Sequence, residues 1–306
     1  MKNYIKIITG ILLFFCAIQL KAQQPEKPLV RFGLIADIQY CDCETANNRY
    51  YRKSLRKLDE CVQDLNSAGV QFTINVGDLV DRDTEANIDE IMKRLDKLEN
   101  KYYNTTGNHD YGGVTDNKAL YQRLKMPAEY YTFEYENWVF IMLNTNEISS
   151  YSNTAGTAKE EELTALTSAL KKERRRNGAS YNGGISKEQM KWLEKELTKA
   201  QQEGKNVMIF SHHPFYPDNG LTAFNDRDIL ELLSRYSCVK ASIAGHHHPG
   251  HFGEYNGIPF ITTQGMIETE NENAYGIVEL FSHKIVITGK GRTRSYELDI
   301  KHQVDK

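Results

Sequence analysis

The pattern that most restricts this chain is a recurring one: a short apolar run that stops abruptly at a cluster of Asp, Asn, Gly or His. Residues 30–36 run into Asp37, and 72–76 into Gly77 and Asp78. Residues 102–106 precede Gly107, Asn108 and His109; 207–210 lead into Ser211 and His212; 239–244 lead into Gly245 and His246. Apolar runs of this length with turn residues behind them predict strands. Each polar cluster then falls at the C-terminal end of a strand, where α/β sheets gather ligands. Between the strands lie helical stripes, Leu55, Leu58, Val62 and Leu65 on one face and Ile88, Ile91, Met92 and Leu95 on another. Ser186 with Gln189 three residues later is a capping-box signature, opening a helix with Met190, Leu193 and Leu197 on one side. Residues 258–262, 275–280 and 284–288 predict strands with no helix between them. The expectation is an α/β protein with two packed sheets flanked by helices.

The 306 residues suit one large domain or two small ones. The N-terminus has the pattern of an export signal over residues 1–22: Lys2 and Lys6, then an apolar stretch at 7–20. That stretch is short for a membrane span of about 20 residues, although an uncleaved anchor is the rival reading. A short linker at 23–29 would follow, then a catalytic domain at 30–306. Cleavage would remove Lys2, Lys6 and Lys21 and no acid, shifting the net charge from −3 to −6. Nothing global therefore points to nucleic acid, and no stable membrane association is expected after cleavage. The expected location is outside the cytoplasm, periplasmic or secreted. Cys41 and Cys43, one residue apart, are poorly placed for a mutual bridge, and with Cys61 and Cys238 they are expected to be buried or idle thiols. Residues 149–184 form a polar insertion with a basic run, Lys171, Lys172 and Arg174 to Arg176, expected to be a solvated helix face.

Five clusters carry the chemistry: Asp37-Ile38-Gln39, Gly77-Asp78-Leu79-Val80-Asp81, Gly107-Asn108-His109-Asp110, Ser211-His212-His213-Pro214 and Gly245-His246-His247-His248. Each alone is weak; their order and shared strand-end placement are not. In this the chain resembles the calcineurin-like metallophosphoesterases, whose pattern is DxH, GDxxD, GNHD/E, H and GHxH. The resemblance implies a four-layer α/β/β/α sandwich of two mixed sheets. It also implies two divalent cations, about 3.5–4 Å apart, that neutralise a phosphoester and acidify a water. Carried over residue by residue, one metal would be held by Asp37, Gln39, Asp78 and His248, the other by Asp78, Asn108, His212 and His246. His109 would act as general acid over the phosphorus, Asp110 would orient and charge that imidazole, and Asp81 would support the loop. His213 and His247 fall in variable slots and are expected to be structural or pocket-lining; His251 is open.

Gln39 stands where most members carry His. A carboxamide is a harder donor than imidazole, which favours Mn²⁺ or Mg²⁺ (with Fe the further alternative) over zinc. Asp81 replaces the GDxxY tyrosine of purple acid phosphatases. Asp37-Ile38-Gln39-Tyr40, Arg49-Tyr50-Tyr51-Arg52, Asn182-Gly183-Gly184-Ile185-Ser186, His212-His213-Pro214-Phe215-Tyr216-Pro217-Asp218 and Gly265-Met266-Ile267-Glu268-Thr269 are similar to the manganese-dependent ADP-ribose/CDP-alcohol diphosphatases. Two readings stand for Arg49 and Tyr50: they hold the phosphate or base of a nucleotide, or the tyrosine pair opens a helix. The implied reaction is hydrolysis of a small nucleotide substrate, ADP-ribose to AMP and ribose 5-phosphate or CDP-alcohols to CMP and a phosphoalcohol. The alternatives are a broader phosphodiesterase or phosphomonoesterase on the same metals, and a metal-free binding scaffold.

Overall fold

The computed structural model describes residues 26–300; the expected export signal lies outside the described residues. The chain runs β1 (Val30–Ile35), α1 (Lys53–Ser67), β2 (Phe72–Asn75), α2 (Thr84–Leu95), β3 (Lys101–Asn104), α3 (Asn117–Arg123), β4 (Tyr131–Tyr135) and β5 (Trp138–Met142). It continues through α4 (Ala158–Lys172), α5 (Lys187–Gln202), β6 (Asn206–Ser211), α6 (Asp226–Ser234) and β7 (Val239–Ala244). Five strands close it: β8 (His251–Tyr255), β9 (Ile258–Thr262), β10 (Ala274–Leu280), β11 (Lys284–Gly291) and β12 (Tyr296–Asp299).

The strands form two mixed six-stranded sheets, ordered β12-β11-β10-β1-β2-β3 and β4-β5-β6-β7-β9-β8. In the first, β1, β2 and β3 are parallel, and β10 joins β1 antiparallel. In the second, β5, β6, β7 and β9 are parallel. Side chains along a strand alternate between faces, and the second sheet uses both. Trp138, Phe140, Met142, Met208 and Phe210 enter the core between the sheets. Val139, Ile141, Val207 and Ile209 pack outward with Leu193 and Leu197 of α5 and Ile229 and Leu233 of α6. Where β6 and β7 lose register, Val207 faces Val239 but Met208 faces Ala241. The extra residue keeps Val239 in the outer cluster and Ala241 in the inner one.

Between the sheets an aromatic seam ties the first to the second. Phe32 of β1 meets Phe140 edge-on with centroids 5.7 Å apart, and Phe72 of β2 meets Phe140 at 5.1 Å. Such edge-to-face pairs add about 0.5–1.5 kcal/mol each beyond burial. Leu58 and Leu65 of α1, with Ile88 and Leu95 of α2, extend the same contiguous core onto the other face of the first sheet, Leu65 lying over Gly33 of β1. The order of layers is helix, sheet, sheet, helix.

The polar stretch at 149–184 contains α4, and Ile148 and Gly184 exchange backbone hydrogen bonds of 3.0 and 2.9 Å that close its neck. The capping box is half formed. Ser186 Oγ accepts from the Gln189 backbone N–H at 3.0 Å, but Gln189 turns to Asn144, and Glu147 accepts the Ser186 N–H at 2.9 Å instead. The first cysteine pair also differs from expectation. Cys41 and Cys43 form a disulfide with Cα atoms 5.1 Å apart, because the chain bends at Asp42 and Cys43 rather than running extended. Cys61 and Cys238 are free and buried.

Candidate metal centre and active site

All five clusters come together at the ends of the parallel strands, and the backbone there is strained. Asp37, Gln39, Asp78 and His246 have φ of 51°, 43°, 55° and 67°, a region that costs non-glycine residues about 1–3 kcal/mol each. Interlocking hydrogen bonds hold them. Asp37 N–H donates to Gly77 O at 3.1 Å, Gln39 N–H to Asp78 O at 2.8 Å, and His246 N–H to the Asp37 carboxylate at 3.0 Å. Two glycines make room: a Cβ on Gly77 would lie 2.6 Å from Gly107 N, and one on Gly107 2.0 Å from Asp78 Oδ1. The β2 and β3 loops therefore touch backbone to backbone.

Two groups of candidate ligands result, Asp78 with His212 and His246, and Asp37 with Asp78 and His248, the ligand atoms of each group lying within 4.8 Å of one another. Asp78 belongs to both. The proton positions can be assigned from the partners. Asn182 Nδ2 donates to Asn177 O and Gly220 O at 2.8 and 3.0 Å, which fixes the amide orientation. Its Oδ1 therefore accepts from His246 Nε2 at 2.9 Å, leaving Nδ1 bare. His212 Nδ1 donates to Val76 O at 2.9 Å. Its Nε2 then faces His246 Nδ1 at 3.2 Å, Asn108 Oδ1 at 3.1 Å and Asp78 Oδ2 at 3.4 Å. Acceptors crowd one point, as they would around a cation.

The second group has the same character. His248 Nδ1 lies 3.4 Å from Glu268, turning Nε2 toward Asp37 at 3.4 Å and Gln39 Nε2 at 3.1 Å. Asp37 Oδ2 and Gln39 Oε1 are buried with no hydrogen-bond partner among the described residues. A half-turn of the Gln39 amide, which now donates to Asp78 at 2.8 Å, would present its oxygen to the same point. Burial opposes a proton on His212 and on His248, yet Asp78 raises the first and Asp37 the second to about 9. The buried acids are short of positive charge. The residues present fit a pair of divalent cations.

His109 sits beside this cluster, about a quarter exposed, with Nδ1 3.0 Å from the Asp81 carboxylate and 3.2 Å from Asp81 O. Burial works against its proton, but Asp78 and Asp81 outweigh it and hold the imidazole above its ordinary pKa. The expected partner was Asp110, and the structure corrects this. Asp110 lies one residue along a 3-10 turn (His109–Tyr111) and points inward. There its carboxylate accepts four backbone N–H groups, from Asp78, Leu79, Val80 and Gly107, at 2.8–3.0 Å. Asp110 clamps two loops, and Asp81 orients the histidine.

Arg49 lines the cavity of about 330 Å³ that contains Gln39, Asp78, Asn108 and His109, with Nη1 3.5 Å from Asp81. Tyr50 does not line it; its N–H donates to Ile267 O at 3.2 Å. The tyrosine pair serves the backbone ahead of α1, with Tyr51 buried against Cys41 and Ile267. His213 is buried, its Nδ1 2.9 Å from Thr145 Oγ1 and its Nε2 3.2 Å from Tyr181 O. Burial and His212 push its pKa down to about 3. His247 meets Asn219 at 3.1 Å, and His251 packs edge-on against it at 6.0 Å. Within the basic run, the Arg175 side chain, 7% exposed, is held in a two-bond pair with Asp226 at 2.7 and 2.8 Å rather than solvated.

Three residues near the centre had no role from sequence reasoning: Asn182, which sets the His246 tautomer; Glu268, which faces His248; and Lys57. Lys57 is fully buried and donates from Nζ to the carbonyls of Met266, Glu268 and Thr269. Asn182 and Glu268 stand inside sequence runs already singled out, so the signal existed without an assigned chemistry. Lys57 had none, being a lysine on an otherwise amphipathic helix.

Fold and site together define a metal-dependent phosphoester hydrolase. The chain belongs to the family described as Calcineurin-like phosphoesterase, whose model matches residues 30–250. It is 28% identical over 323 residues to a mouse protein named manganese-dependent ADP-ribose/CDP-alcohol diphosphatase, covering 90% of this chain and 95% of that one. The human protein of that name is 27% identical, with coverage of 90% and 94%. A crystal structure of a dimetal phosphatase from Danio rerio superposes with a TM-score of 0.81 at 26% identity, covering 90% of this chain and all of the other. A purple acid phosphatase from yellow lupin shares the fold alone, with a TM-score of 0.56 at 14% identity.

Proposed function

We propose that this chain hydrolyses the diphosphate bond of nucleoside diphosphates linked to a second group, ADP-ribose to AMP and ribose 5-phosphate and CDP-alcohols to CMP and a phosphoalcohol, with two Mn²⁺ ions. The observation that carries the reading is the bare pair of imidazole nitrogens, His212 Nε2 and His246 Nδ1, 3.2 Å apart beside a carboxylate common to both ligand groups. Asp37, Gln39, Asp78 and His248 would hold one ion, and Asp78, Asn108, His212 and His246 the other. Bound there, the ions supply charge neutralisation and an acidified water. The carboxamide oxygens of Gln39 and Asn108 suit a hard cation such as Mn²⁺, the metal in the relatives' name.

The protein's own groups supply the rest. His109, whose imidazole pKa Asp78 and Asp81 raise against the effect of burial, would give its proton from Nε2 to the departing oxygen. Arg49 would neutralise phosphate charge on the same side of the cavity. A phosphomonoester leaves far more readily than an alkoxide, which favours diphosphates over simple diesters. Turnover of ADP-ribose, CDP-choline, a cyclic nucleotide and a simple phosphomonoester in Mn²⁺ tests the reading. AMP or CMP is the expected first product; release of inorganic phosphate or free nucleoside as the first product would overturn it in favour of a broader phosphoesterase. We also propose export through the signal at 1–22, supported by its charge and apolar pattern; an uncleaved N-terminus on the mature cellular protein would refute cleavage.

A further inference from the structure

Leu29, Tyr181 and Phe252 are the exposed large apolar or aromatic side chains among the described residues, and Tyr181, at 50%, is the most exposed. It alone of the three lines the cavity of the metal centre. Its ring stands 6.1 Å from the His246 ring at 45°, and no hydrogen bond is made by its hydroxyl among the described residues.

Its backbone, by contrast, is fixed. Tyr181 O accepts from His213 Nε2 at 3.2 Å, and His213 is itself locked by Thr145. The next residue, Asn182, donates to Asn177 and Gly220 and accepts from His246. After it, a Cβ on Gly183 would lie 2.4 Å from Thr145 O, so the turn sits hard against the loop after β5. A buried polar network thus holds a free aromatic face at the mouth of the site. The folding entropy of the ring's backbone is already spent, so a flat ligand group meets a preorganised surface.

We propose that Tyr181 is the stacking platform for the nucleobase. The inference rests on the nucleotide reading above and deepens it by orienting the substrate. Among the cavity-lining side chains Tyr181 is the aromatic one apart from the imidazoles, and it lies on the His246 side. Arg49 lies beside Asp81 and His109. The base end of the substrate therefore lies toward His246, and the sugar phosphate or phosphoalcohol end toward Arg49. Stacking accepts adenine and cytosine alike, because every base has a π-face, which accounts for a site that takes ADP- and CDP-linked substrates without hydrogen-bond readout of the base.

The test uses the Mn²⁺-loaded full chain and the variants Tyr181→Ala and Tyr181→Phe. The substrates are ADP-ribose and a base-free diphosphate, the P2-methyl ester of ribose 5-diphosphate. Loss of a base–aromatic stack should lower the kcat/KM ratio of ADP-ribose to the base-free diphosphate about 5- to 150-fold in Tyr181→Ala, mainly through KM, and Tyr181→Phe should restore it. AMP affinity, measured by calorimetric titration, should fall by a similar factor in Tyr181→Ala, whereas inorganic phosphate affinity should follow the wild type. An unchanged ratio with unchanged AMP affinity overturns the platform while leaving the diphosphatase reading intact. Tyr181-dependent AMP binding without ADP-ribose turnover would sink the diphosphatase reading and leave the platform standing.

Discussion

Gly107→Ala is the smallest change that should dismantle this centre. The added methyl would lie 2.0 Å from Asp78 Oδ1 and 2.3 Å from Asp78 N. Ordinary carbon–oxygen contact begins near 3.2 Å, so the carboxylate must retreat by about 1 Å. It cannot go freely, because Asp110 holds Gly107 N–H at 2.8 Å and Asp78 N–H at 3.0 Å with the same oxygen, keeping the two backbones together. Overpacking of this kind costs about 1–3 kcal/mol of stability, and a 1 Å misplacement of a reacting constellation costs about 10²-fold in rate. Because Asp78 belongs to both ligand groups, the variant should lose kcat by at least that factor and bind less than two metals per chain. Metal content by mass spectrometry, a thermal melt and initial rates on ADP-ribose report all three. Gly178→Ala, whose Cβ would meet Leu170 at an ordinary 3.5 Å, is the control. Gly107→Ala retaining two metals and a rate within threefold of wild type would refute the argument.

Asp110→Asn should destabilise more than it slows, since its amide faces two of the four N–H groups with a donor; leaving two buried N–H groups unmet costs about 2–6 kcal/mol, readable by urea denaturation, and a loss under 1 kcal/mol counts against the clamp. Asp81→Asn should do the reverse, leaving stability nearly intact and reducing kcat about 10–100-fold, as expected when a group that orients an active imidazole is lost; a variant as fast as wild type would show that His109 does not need it. Lys57→Met exposes a pH dependence. Burial, with Arg292 and Arg56 nearby, lowers the folded Lys57 pKa from 10.5 to about 8, so between those values the unfolded chain carries more protons. The wild type should therefore gain stability relative to Lys57→Met as pH rises from 8 to 10.5; a difference that is flat or falls would contradict it.

Strand ends and metal-type residues were legible because both depend on local signals: apolar runs that stop at turn residues, and side chains whose chemistry has few other uses together. Asp37, Asp78, His212 and His248 could be picked out before any geometry. What the sequence could not show was direction. His109 and Asp110 are neighbours, and only the 3-10 turn sends one outward to Asp81 and the other inward to four N–H groups. Gln189 looked like the reciprocal cap of Ser186, but Glu147, 39 residues away from Ser186, was closer in space. Strands β4 and β5 went unassigned in the sequence, although β5 is an apolar run buried along its whole length. The Cys41–Cys43 bridge depended on a bend that spacing alone does not predict.

The antiparallel pairing of β1 with β10 has a consequence for how the protein is made. Every residue of the candidate centre, from Asp37 to His248, precedes β10 in the chain, yet β1 has β2 on one side and acquires its other neighbour only when Val30 meets Leu280. A growing polypeptide therefore owns all its metal-type side chains while its first strand still offers an open row of N–H and C=O groups to any passing strand. Such late, sequence-distant closure slows folding and lengthens exposure to association. Translation that stops short of residue 274 would leave a chemically complete but architecturally open product, one destined for aggregation or proteolysis.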